Sequence, residues 1–244
     1  MSTLPDTAAS MAVVARGITK TGPWGPVYGP LDLDIPAGGL TILRAEAGPG
    51  RTALQMTLAG RMKPASGTLD VFGRTTAKSI FRNASLAAIA ALDDVYASVR
   101  VVDLLTEQLR WDAPWYRLIG KAGRDDLERI CRPVFGDLPL PALDAYIEEI
   151  SELDDLLLRV ALANTRLRPL LVVGNIDQVT SDANHGVLVR RLAELGNRQT
   201  VVTTTVNPVD PGLGQRAVIE VPSMLDGDGA AAPTVETARI EGEQ

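Results

Sequence analysis

Between Leu43 and Gly60 the chain reads LRAEAGPGRTALQMTLAG, a stretch whose residue types suit phosphate chemistry. Gly48 and Gly50 let the backbone turn tightly where a Cβ would obstruct a phosphate. Arg51 offers a cation for the β- and γ-phosphates, and Thr52 a hydroxyl placed for Mg²⁺. A helix that starts here, with Ala53 in its opening turn, would aim free N–H groups at the same anion. Two positions depart from the usual loop: Ala45 replaces its first glycine and Arg51 its lysine. A plain tight turn ahead of a helix accounts for these residues equally well.

The surrounding elements are those that carry such a loop. Residues 12–18 have strand-like content, and TGPWGPVYG (21–29) is rich enough in Gly and Pro to predict a turn or loop. LDLDIP (31–36) alternates apolar and acidic side chains as a half-buried strand does. A turn at Ala37–Gly39 leads to a buried strand over 40–45, and Leu54, Leu58 and Ala59 give 52–59 a helical spacing that Gly60 is placed to end. Residues 66–73 predict a short strand. Residues 99–160 carry long helical patterns and predict a helical insertion, with Trp115 and Tyr116 in a polar segment. The core then resumes with a buried strand over 169–175, an amphipathic helix, TVVTTT and RAVIEV. Strands alternating with helices predict a three-layer α/β nucleotide-binding fold.

Bulk properties narrow the classes. The 244 residues suffice for one sizeable core with an appended subdomain. A net charge of −6 argues against broad nucleic-acid binding. The single cysteine, Cys131, excludes an internal disulfide framework and a Cys-rich zinc site. No signal segment is visible, and no apolar run reaches the roughly 18 residues of a membrane span. The expected organisation is a loose leader over 1–10, one domain over 11–223 and a disordered tail over 224–244.

Segment order across residues 13–210 resembles the ATP-binding subunits of ABC transporters, which are P-loop NTPases with an inserted helical subdomain. The pieces that carry the resemblance are the loop itself, LAGRMKPASGTLDVFG, RVVDLLTEQL, and ISELDDLLLRVALANTRLRPLLVVGNID. The resemblance implies ATP and Mg²⁺ as ligands and a membrane permease as partner. It also implies a homo- or heterodimer with another ATPase domain, in the cytoplasm or peripheral on the inner face of the membrane. It assigns nucleotide contacts to Gly48, Gly50, Arg51, Thr52 and Ala53, with Trp24 or Tyr28 stacking on the base. Ser151 matches the signature serine that faces a partner's nucleotide.

Other matched positions depart from the family. Gly174 and Asn175 stand where it has a metal-binding aspartate and a general-base glutamate, leaving Asp177 as a weak candidate for a shifted role. No glutamine lies between Gln55 and Gln108 to bridge metal and transporter; Asp93 and Asp94 lie in that region. Glu152 and Leu153 replace the signature glycines, and Glu152 would set negative charge near phosphates. Val206 falls where a switch histidine is expected, and the only histidine, His185, reads as a surface or cap residue. Ser151 and Asp154 predict a helix-capping box. The residues thus predict nucleotide binding with weak hydrolysis or none, or else a scaffold that keeps only the fold.

Overall fold

A long hairpin opens the chain in the computed structural model, which describes residues 10–89 and 98–222. Strand β1 (Met11–Gly22) pairs antiparallel with β2 (Gly25–Pro36) across a two-residue turn at Pro23 and Trp24. The Gly/Pro stretch 21–29, expected as turn or loop, is therefore mostly strand. Pro23 sits in the turn, and Pro26 is tolerated because β2 is an edge strand, where a missing N–H costs no ladder bond on the open side.

Strand β3 (Gly39–Arg44) leads through residues 45–48 into helix α1 (Pro49–Leu58). The helix starts at Pro49 rather than Thr52, because proline's fixed φ suits the first helical position. It ends as Gly60 predicts. With φ at +71°, Gly60 lets the Arg61 N–H reach the Met56 carbonyl at 2.8 Å and donates its own to Thr57 at 3.0 Å.

Strand β4 (Ser66–Val71) joins the other edge of β1 and completes a three-stranded antiparallel sheet. Two short elements that the sequence pattern does not announce follow: α2 (Ala77–Asn83) and β5 (Ala84–Ala87). Two arginines hold them. Arg61 and Arg168 both donate to the Ala84 carbonyl at 2.8 Å, and their guanidinium groups lie 4.6 and 5.7 Å from the Phe81 ring centroid.

Helices α3 (Val101–Asp112), α4 (Arg124–Phe135) and α5 (Glu152–Ala163) form the expected helical subdomain. Strand β6 (Leu170–Asn175), helix α6 (Asp182–Leu195), β7 (Thr200–Thr205) and β8 (Ala217–Glu220) complete the core. The second sheet is parallel, in the order β5-β6-β7-β3-β8. Strand alternation divides its side chains between two cores. Leu171, Val173 and Val201 face α3–α6, whereas Leu170, Val172 and Val202 face α1 and the antiparallel sheet. Residues 1–9, 90–97 (with Asp93 and Asp94) and 223–244, which include the expected leader and tail, lie outside the described residues.

Candidate phosphate-binding site

The loop from Ala45 to Gly48 turns the chain from the carboxyl end of β3 into α1, where an anion meets helix N–H groups in an open α/β sheet. Gly48 caps the helix with φ +151° and ψ 179°, a conformation that L side chains rarely adopt. No side chain caps this end, and its first turn holds no acidic residue. Pro49 has no N–H to contribute, so the free donors begin at Gly50, which is buried. Thr52 is half-buried and Ala53 is buried beside them.

Arg51 occupies the same turn. Its Nη1 is buried with no hydrogen-bond partner, an expensive arrangement for a charged donor. Burial lowers its pKa, while the nearby Asp177 charge acts in the opposite direction. A guanidinium remains charged at physiological pH even so. An orphaned donor beside an uncapped helix start fits a phosphate oxygen.

A divalent metal fits less well. The Gly174 position at the end of β6 is filled from outside: a Cβ there would sit 1.8 Å from the Ala88 carbonyl oxygen. Ala88 reaches that place with φ at +54°, and Gln178 donates to its carbonyl at 3.1 Å and to that of Asn175 at 2.8 Å. Asn175 half-closes the turn by accepting the Asp177 N–H at 3.0 Å. Asp177 is itself engaged: Oδ1 accepts from Thr205 at 2.5 Å and Asn207 at 3.1 Å, and Oδ2 from the Val206 N–H at 2.8 Å. No group of three His, Cys, Asp or Glu suited to a metal occurs among the described residues.

The two aromatic candidates separate. Tyr28 is fully buried and donates to Thr57 at 2.8 Å, so it packs β2 against α1. Trp24 is 100% exposed at the hairpin turn. Ser151 caps α5 by accepting from the Asp154 N–H at 3.1 Å, and its hydroxyl lies 2.8 Å from an Asp154 carboxylate oxygen. The reciprocal contact of the predicted box thus runs through the hydroxyl. Glu152 turns to Thr180, whose N–H and hydroxyl both donate at 2.9 Å; these bonds hold its pKa below the usual carboxylate value. His185 lies in the first turn of α6, half-buried, with Nε2 unbonded. Val206 is exposed just past β7.

Sequence reasoning passed over Gln55, whose buried amide donates to the Val173 carbonyl at 2.9 Å and to Thr204 at 3.1 Å. It ties α1 to the ends of β6 and β7. A polar residue among apolar ones in α1, opposite a run of threonines, is the available signal.

The fold is an α/β architecture of the ABC-ATPase type, with a helical subdomain. Solved structures carry the same fold at low identity. A component of the ABC transporter complex cbiONQ of Clostridium perfringens superposes with TM-score 0.66 at 12% identity, covering 86% of this chain and 84% of that one. A dimeric bacterial ABC transporter cassette gives TM-score 0.65 at 13% identity, covering 85% and 94%. Among curated proteins, one of Rhizobium meliloti described as a ribose/galactose/methyl galactoside import ATP-binding protein is 24% identical over 235 residues. That match spans 95% of this chain but only 45% of the relative. No protein-family model matches the chain. Among the described residues no helix is long and apolar enough to cross a membrane.

Proposed function

We propose that this chain is a nucleotide-binding subunit of an ABC-type transporter that binds ATP and hydrolyses it weakly or not at all. The observation that carries the reading is the unbonded Arg51 Nη1 beside the uncapped start of α1. Gly48 and the N–H groups from Gly50 onward would hold the phosphates, Arg51 would neutralise them, and Trp24 would cover the base. Bound ATP would supply differential binding energy between partner arrangements, without requiring turnover.

Weak turnover follows from the groups around the loop. Phosphoryl transfer needs a metal, a cation and a positioned water. Gly174 offers no ligand, Asn175 is no base, and Asp177 is committed to the end of β7. Losing one preorganised group of this kind costs about 10²–10³-fold in rate, by analogy with oxyanion-hole donors. The partners of this reading are a membrane permease and a second ATPase domain in a homo- or heterodimer, at the inner face of the membrane.

A second reading, a scaffold without nucleotide, draws on exposed Trp111, Trp115, Tyr116 and Leu118, an apolar surface suited to a protein partner. Calorimetry and phosphate release on the purified chain separate the two. Binding of ATP that is lost in Arg51→Ala, with phosphate release no faster than in that variant, supports the transporter subunit. Absence of binding up to millimolar ATP favours the scaffold.

A further inference from the structure

Resting on the reading that this chain holds nucleotide, we infer that its phosphate site takes an uncomplexed nucleoside di- or triphosphate, with Arg51 in the role of the divalent metal. Three features of the described residues converge on this. The strand-end position from which a carboxylate would reach a metal is Gly174, and its side-chain space is filled by the Ala88 carbonyl. Gln178 fixes that carbonyl in place.

The acid that follows Gly174 in the chain, Asp177, already accepts three hydrogen bonds, from Thr205, Val206 and Asn207. Turning it toward a metal would strip the fully buried Thr205 hydroxyl of its shortest bond. The third feature is Arg51. A second cation placed close to a desolvated guanidinium is repelled, and the repulsion grows as the local dielectric falls. A bare polyphosphate meets the opposite situation. Its oxygens suit the planar fork of arginine, which can grip two at once, and the unbonded Nη1 gains the acceptor it lacks.

Calorimetry of the full chain with ATP, in excess EDTA and separately in millimolar Mg²⁺, tests the inference. Millimolar Mg²⁺ complexes most of the ATP, so the expected dissociation constant is weaker in Mg²⁺ than in EDTA by about tenfold or more. Arg51→Ala should weaken ATP in EDTA by about tenfold to a hundredfold, and Arg51→Lys should recover part of the loss. Binding as tight or tighter in Mg²⁺ than in EDTA overturns the inference and leaves the nucleotide reading standing. No binding under either condition overturns both.

Discussion

The Thr205 hydroxyl donates to Asp177 Oδ1 at 2.5 Å, joining the end of β7 to the turn after β6. The same carboxylate takes the Val206 N–H and the Asn207 amide, so one side chain closes three donors of a loop. Asp177→Ala should therefore lower stability by about 1–3 kcal/mol, the range for stripping hydrogen bonds from a charged acceptor. Urea denaturation monitored by circular dichroism measures it; an unchanged midpoint would remove Asp177 from this structural role.

Gly174 gives a second expectation. Replacing it by aspartate, which would restore a metal ligand in the related fold, should cost about 3 kcal/mol or more, because the carboxylate has no space beside Ala88. Phosphate release by Gly174→Asp should stay at the level of the parent chain. A stable variant with gained turnover would refute the filled-site description.

Trp24 should divide binding from folding. Being fully exposed, it contributes little to stability, and Trp24→Ala should leave the urea transition unchanged. If its ring stacks on the base, the same change weakens ATP by about 1–3 kcal/mol. Calorimetry with ATP and with inorganic pyrophosphate checks this, since only the ATP value should move.

Asp112 links the end of α3 to the segment after α5. Burial acts to raise its pKa, but hydrogen bonds from Gln108, Thr165 and Arg166 outweigh it and hold the carboxyl below its ordinary value. A carboxylate with a depressed folded pKa adds stability above its unfolded pKa of about 3.9. That contribution fades as pH falls through the lower folded value. The stability difference between the parent chain and Asp112→Asn should thus be present at pH 6 and vanish toward pH 2, as urea titrations across this range would show.

Cys131 is buried in α4, and burial pushes its thiol up to about 12. At neutral pH it should resist iodoacetamide, because the thiolate is the reactive form. Labelling followed by mass spectrometry should rise only as urea unfolds the chain; fast labelling of the native protein would contradict the packing of α4.

The legible parts of the sequence were those with a strong local period. LDLDIP and TVVTTT announced their strands, and Gly60 its helix end, because each depends on near neighbours alone. α2 and β5 were not legible, since ASLA is too short for any period and is held by Arg61 and Arg168 from distant segments. At the site, Gly48 and Arg51 could be picked out by type and spacing. The unbonded Nη1 could not, because it depends on which atoms surround it after folding. Gly174 likewise read as a missing carboxylate; only the fold reveals that a carbonyl from β5's far end stands in that space.

That carbonyl bears on which sequences this fold accepts as much as on its chemistry. A glycine in open space can take a side chain by a single codon change. Here the neighbouring backbone occupies the space and Gln178 fastens it there, so a larger residue is deleterious unless two other segments change first. The close approach of Ala88 to Gly174 thus works as a lock on sequence drift: it holds Gly174 in place until its neighbours change.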